Sequence, residues 1–466
     1  MKNFLFVALL CLVFHLPGQE EISIDSLMKH VSFFSSPLCR GRLPGTQGYQ
    51  AAIQYSQEKL FSYGIKPTYR DLWPQIFPIE TNTIDSASVT LFLKKKKIPL
   101  KAGFDFSVRG YSGSGDITAP LVFAGYGLDL PEYSDYQNIS VKGKIVMIFK
   151  SNPPFIKDLP TYSVRKIADI AYKKGVIGVI FLPSIHSFNP SDMPIGSVAD
   201  GEGEMHKDLP QIQLHGKLAS LILKKDLAKL QKQIDSLKKP KSFLTKAKAH
   251  IFVSTSYNPN GYSSNVVGMV NGNDPELKKE YIVISAHLDH VGFIGKEVYY
   301  PGANDNASGC AAVLELARNI LAHKDKLKRS VIFILFGSEE KGMDGSNYFV
   351  NHIPVPADKI KAVFNMDCIG HGDSIQIGNG KTSPELWQQA YSIAKQHNFP
   401  VTSKTWKGGG ADLTPFVKNN IPGLYFVTTH SYTHLHLPTD TPETFNKKLY
   451  QQMVELVYLL AKEWLF

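Results

Sequence analysis

The sequence predicts an α/β fold: a mixed, largely parallel sheet sandwiched by helices, with a second, smaller α/β unit inserted ahead of it. Three observations carry this. Four apolar runs in the C-terminal half, YIVISA, VIFILF, KAVFNM and GLYFV, are continuous rather than alternating, as strands buried on both faces require. Helix-like segments separate them, CAAVLELARNILAH between the first two being the clearest, and strand–helix alternation implies a parallel sheet with right-handed crossovers. Upstream, LVFAGYG, VKGKIVMIF, VRKIADIAYKKG and VIGVIFL give the same elements on a smaller scale. With 466 residues, 43% hydrophobic and 20% charged, the chain has material for more than one core.

From the N-terminus, residues 1–18 read as a signal peptide. Lys2 precedes an apolar run from Phe4 to Phe14, followed by the helix-breaking Pro17 and the small Gly18. The run is too short to span a bilayer comfortably. Leu10 stands before Cys11, where a lipoprotein signal needs a small residue. Export to the periplasm or the medium is the expectation, without stable membrane insertion after cleavage. Residues 19–110 form the N-terminal part of the main unit. Apolar spacing from Ile22 to Pro67 is helical, broken at CRGRLPGTQG and resumed in AAIQYSQEKLFSYG, a second amphipathic helix ending at Gly64. Residues 68–110 read as strands, with Lys94 to Lys97 at a hairpin tip.

The turn-rich RGYSGSGD opens the inserted unit, residues 111–245, in which LASLILKKDLAKLQKQIDSL has leucines at helical spacing and lysines on the other face. Residues 246–466 carry the four apolar runs. A formal charge of +10 favours anionic surfaces or acidic substrates, but no interleaved aromatics or nucleic-acid motif accompany it, so no nucleic-acid partner is expected. Beyond Cys11, three cysteines remain, Cys39, Cys310 and Cys368. Their odd number and irregular spacing do not make a disulfide framework, and they read as packing residues.

Ionisable residues gather where the apolar runs end, and ligands in such sheets collect at the carboxyl ends of the strands. His287 and Asp289 follow YIVISA, two apart and so on one side of an extended chain. PGANDNASG presents Asp305 just ahead of a helix. VIFILF leads into Glu339 and Glu340, KAVFNM into Asp367, and GLYFV past His430 and His434 to His436. Each has an ordinary structural reading: tandem glutamates complement a helix dipole, an aspartate caps a helix. Burying all of them on one sheet edge is costly unless cations bind there. Three carboxylates, Asp305, Glu340 and Asp367, offset most of the charge of two divalent ions. Mixed imidazole and carboxylate ligands suit zinc best, with cobalt or manganese as substitutes.

The order HLD, GANDNASG, EE, NMD, HLPTD resembles the M28 family of di-zinc peptidases, which has a phosphorylase/hydrolase-like α/β core. The resemblance covers about residues 22–110 and 246–466, and makes the latter the metallopeptidase catalytic domain. It implies two Zn2+ ions, one held by His287 and Asp367, the other by Glu340 and His436, with Asp305 bridging. It implies Glu339 as general base for a metal-activated water, and Asp289 as the partner orienting His287. The middle unit, with FAGYG, VKGKIV and KKGVIGVIF, is similar to a protease-associated domain. The related M20 peptidases place a lid domain between the EE pair and the last histidine, for which the stretch from Glu340 to His436 is too short. HTP is commoner than HLP around the final ligand, so Leu437 is a departure.

Peptides are the implied substrates, and removal of N-terminal residues the implied activity. A carboxypeptidase, which needs a cation for the terminal carboxylate, a one-metal cyclase-like transferase and a non-catalytic binding protein on the same scaffold are the alternatives. The loop of Gly408, Gly409 and Gly410 before Asp412 is read as shaping the substrate pocket, since glycines let backbone approach a ligand. Oligomeric state is not legible.

Overall fold

The structure is a computed structural model that describes residues 22–68, 72–156, 162–187, 191–198 and 201–466. The expected signal peptide lies outside the described residues. Two helices open the fold, α1 (Ile24–Phe34) and α2 (Gln47–Ser62). Each starts on a side-chain cap: Ser23 accepts from the Ser26 amide and Thr46 from that of Tyr49. Gly64, at φ +87°, ends the second.

Strand β1 (Pro74–Leu93) turns at Lys94 into β2 (Lys96–Pro99), so the lysine run does form a hairpin tip. A smaller lobe follows, built from β3 (Phe106–Val108), β4 (Gly115–Phe123), β5 (Ile145–Phe149), α3 (Val164–Lys173), β6 (Gly178–Leu182), β7 (Gln211–Leu214), α4 (Gly216–Leu223) and α5 (Leu227–Leu237). Strands β4 to β7 are parallel neighbours in that order. The leucine–lysine stretch is two helices rather than one. Lys224 turns left-handed at φ +52°, and Asp226 caps a new start by accepting from the Lys229 amide, a local bond that competes with continuation of the helix.

The 28-residue strand β8 (Phe243–Val270) pairs with β4 in the smaller lobe and continues into the main sheet, running antiparallel to β1 along the way. It crosses residue 245, so the two lobes share one continuous ribbon of sheet. The main sheet adds β9 (Tyr281–His287), α6 (Ser308–Leu321), β10 (Ser330–Phe336), α7 (Asp344–Asn351), β11 (Ile360–Met366), β12 (Ile375–Gly378), α8 (Pro384–Gln396), α9 (Leu413–Lys418), β13 (Gly423–Thr428) and α10 (Lys447–Leu465). Its order is β12–β13–β11–β9–β10–β8, in which β13, β11, β9 and β10 are parallel. These are the four apolar runs. Their alternate residues feed opposite cores: Ile282, Ile284, Val331, Phe333 and Leu335 pack toward α1, α2, α6 and α10, whereas Val283, Ile332, Ile334 and Phe336 pack toward α7 and α9. A run buried on both faces has no polar phase, which is why it reads as continuous.

No helix among the described residues is long and apolar enough to cross a membrane. Cys39, Cys310 and Cys368 are buried free thiols.

Candidate metal centre

Parallel strands bring their carboxyl ends to one edge, and register decides what meets there. His287 ends β9 opposite Phe336, the last residue of β10. Gly337 and Ser338 then lead to Glu339 and Glu340, while Asp367 follows directly on β11. Asp305 belongs to no strand and sits in the turn that enters α6. Asp440 fixes that turn from the far side, accepting the Asn304 amide on Oδ1 at 2.8 Å and the Asp305 amide on Oδ2 at 3.0 Å. Arg42, fully buried, fixes it from below by donating to the main-chain oxygens of Phe34, Leu288, Pro301, Gly302 and Asp305.

The side chains converge as the strand ends predict. His287 Nε2 lies 3.2 Å from Asp305 Oδ1 and 3.3 Å from Asp367 Oδ1. His436 Nε2 lies 3.1 Å from Asp305 Oδ2 and 2.9 Å from Glu340 Oε2. Each imidazole nitrogen therefore faces two carboxylate oxygens while offering at most one hydrogen, so hydrogen bonding alone leaves one contact of each pair unmade. Donors bound at about 2.0–2.2 Å to a tetrahedral zinc lie roughly 3.3 Å apart, close to all four separations. Donor atoms of His287, Asp305 and Asp367 form one group, those of His290, Asp305, Glu340 and His436 another, and Asp305 belongs to both. The donor set thus fits two ions. Of the three downstream histidines, His436 enters the cluster; His434 pairs with the Thr439 hydroxyl and His430 is exposed.

Electrostatics say the same. Burial disfavours the charged forms of His287 and His436, yet the facing carboxylates raise both well above the usual imidazole range. Burial also works against Glu340, but His436 and His290 pull it down to about 2. Burial pushes Glu339 well above the carboxylate range, with Asp412, Glu340 and Asp367 adding to the push against His287. Asp289 and Asp412, each fully buried, are raised by burial to about 7.

Two expected roles are placed differently. The Asp289 carboxylate does not bond to the His287 ring, its Oδ1 standing 3.8 Å from Nδ1; the main-chain oxygen of Asp289 meets Nδ1 instead, at 3.2 Å. The carboxylate accepts the amides of Glu339 at 3.0 Å and Glu340 at 3.2 Å, because the turn after β10 brings those N–H groups nearer than the ring. Asp412, fully buried at the start of α9, presents no surface to a substrate, and its charge is among those that push Glu339 up. Gly409 is buried too, its amide donating to Asn379 Oδ1 at 3.0 Å, whereas Gly410 packs against the Tyr425 ring and lines a pocket of about 850 Å³. Trp406, Tyr425, Tyr432 and Lys404 line the same pocket. The Tyr425 hydroxyl donates to Asp367 Oδ2 at 2.8 Å, joining pocket to cluster. His290 was not foreseen: its Nδ1 lies 2.8 Å from Glu340 Oε1, and its buried Nε2 has no partner. HLDH offered the signal, a second histidine three residues after the first.

Residues 265–461 match the sequence profile of peptidase family M28. Over 378 residues, the chain is 28% identical to Aminopeptidase YwaD of Bacillus subtilis, covering 76% of this chain and 70% of the relative. An Aminopeptidase of Pseudomonas aeruginosa is 26% identical over 73% of this chain, which spans 56% of that longer protein. Among solved structures, an aminopeptidase from Aneurinibacillus sp. strain AM-1 superimposes with a TM-score of 0.66 at 20% identity, covering 96% of this chain and 95% of that one. A zinc aminopeptidase from Bacillus subtilis gives 0.65 at 20% identity, covering 95% and 96%. These two share the two-lobed fold with this chain.

Proposed function

We propose that this chain is a peptidase of the M28 family, an exported zinc aminopeptidase that binds two ions and uses Glu339 as its proton carrier. The observation that carries the reading is Asp305, whose two oxygens face two different histidines. His287 and Asp367 hold one ion, Glu340 and His436 the other, and Asp305 contributes to both. When bound, such a pair supplies Lewis-acid activation of a water and of the scissile carbonyl; cobalt or manganese fits the same donors. Asp289 fixes the main chain of Glu339 and Glu340 through two amides, so that Glu340 turns to His436 while Glu339 is left for chemistry. Glu339 takes the proton of the attacking water and returns it to the leaving amine. Tyr425 turns Asp367 Oδ1 toward His287, and the pocket beside Tyr425 takes a substrate side chain. The smaller lobe reads as a protease-associated domain.

The names of the relatives and the acidic character of the cluster, which suits a free amine, support action at the N-terminus. A carboxypeptidase needs a cation for the terminal carboxylate, and Lys404 at the pocket is the residue that would serve one. A digest of peptides blocked at one end or the other, read by mass spectrometry with and without chelator, decides between them. N-blocked peptides should resist and C-blocked ones be trimmed, only without chelator. Trimming of N-blocked peptides from the other end contradicts the proposal.

A further inference from the structure

The smaller lobe reaches into the metal centre. Gly196 donates its amide to the main-chain oxygen of His436 at 2.9 Å, and His436 Nδ1 lies 3.1 Å from the main-chain oxygen of Gly196. A carbonyl only accepts, so Nδ1 carries the hydrogen, and in the neutral ring Nε2 presents its lone pair toward Asp305 and Glu340. His287 gets the same service from its own loop, two residues on. For His436 the partner is 240 positions away in sequence, in the other lobe.

The segment is built to hold still. The main-chain oxygen of Met193 accepts from Gln213 Nε2 at 3.2 Å, that of Ile195 from the Ser107 hydroxyl at 2.8 Å, and the Ser197 hydroxyl from the fully buried Arg109 at 2.9 Å. Ser107 and Gln213 stand on β3 and β7, paired at the edge of the smaller lobe's sheet. A Cβ on Gly196 would stand 2.8 Å from Val291 Cγ2 and 3.1 Å from the Tyr300 ring. Glycine is what lets this backbone come close enough to touch His436. His436 itself sits in a loop, at φ +55°, with no strand to steady it.

We propose that residues 193–197 are a positioning strap through which the smaller lobe fixes the tautomer and direction of His436, and with them the affinity of the ion His436 holds. The inference rests on the two-ion reading of the centre. It makes the lobe a working part of the peptidase rather than an appended module, and Gly196 and Ser107 its positioning residues.

The test uses the full chain carrying Gly196→Ala or, more gently, Ser107→Ala, with Ile180→Val in the core of the smaller lobe as a control that leaves the strap untouched. Zinc affinities are read by competition with a chromophoric chelator, the tautomer of His436 by 15N chemical shifts, and the cobalt-substituted proteins by their absorption spectra. Loss of an orienting partner weakens a metal site by about 10–100-fold; one ion should weaken so in both strap variants while the other holds. The cobalt band of that ion should shift, and Ile180→Val should match wild type. Strap variants that bind both ions as wild type does overturn the strap alone, as does an equal loss in Ile180→Val. Wild-type protein that takes up no second ion overturns the two-ion reading and the strap together.

Discussion

Stripping the metal should leave a protein whose stability falls as pH rises through neutrality. Asp289, Asp412 and Asp440 are 0–1% exposed, and burial raises each to about 7. For a group whose folded-state pKa is raised, the folded chain holds protons that the unfolded chain has already released. Its stabilising effect is therefore complete below the unfolded pKa and lost as pH climbs through about 7. Between pH 6.5 and 8, one such carboxylate costs about 0.8 kcal/mol, and three about 2 kcal/mol, taken as independent. His287 and His436, also raised, act in the same direction. His30, lowered to about 4 by burial, opposes mainly below pH 6.5. A melting temperature moves by about 2–4 °C per kcal/mol in a unit of this size, so the metal-free protein should lose roughly 5 °C across that window. Saturating zinc should remove the slope, because cations at the cluster keep the carboxylates ionised. Calorimetry of chelated and zinc-loaded protein reads both curves. A metal-free protein with a flat or rising profile would refute the reasoning.

Other outcomes follow from the same geometry. Glu339→Gln keeps shape and removes the proposed proton carrier, so kcat should fall by about 10²–10⁴-fold with zinc content unchanged by elemental analysis. Arg42→Met removes a donor from five main-chain oxygens, of which that of Gly302 keeps the Ala307 amide, and should cost about 3 kcal/mol or more in denaturant unfolding. Gly410→Ala puts a Cβ 2.9 Å from the Tyr425 ring; KM should rise on steady-state kinetics while zinc content holds.

The strand-end residues were legible because the physics is local. A strand buried on both faces is continuous in sequence, and chemistry sits where such a run stops, so His287, Glu339, Glu340 and Asp367 could be found without knowing the fold. Asp305 was legible from the turn that precedes a helix. What stayed hidden depends on contacts between distant segments. Asp440 matters because its carboxylate meets two amides more than 130 positions away, and Arg42 because five carbonyls surround it. Neither has a sequence pattern of its own. The role given to Asp289 went astray for the same reason: spacing put it on the correct side of the chain, but the nearby amides of Glu339 and Glu340 claimed its carboxylate. Strand β8 escaped as a unit because its first half is solvated and lysine-rich, Lys246 and Lys248 alternating with buried Ala247 and Ala249, whereas its last residues are buried on both faces.

The central claim is that Asp305 ties together two ions. Zinc bound per chain, counted by elemental analysis alongside the rate of N-terminal residue release, tests it most directly. The account predicts two ions in the wild type, with activity lost on chelation and restored by zinc, and loss of at least one ion in Asp305→Ala. A wild type fully active with one ion, or an Asp305→Ala variant that keeps two, would contradict it.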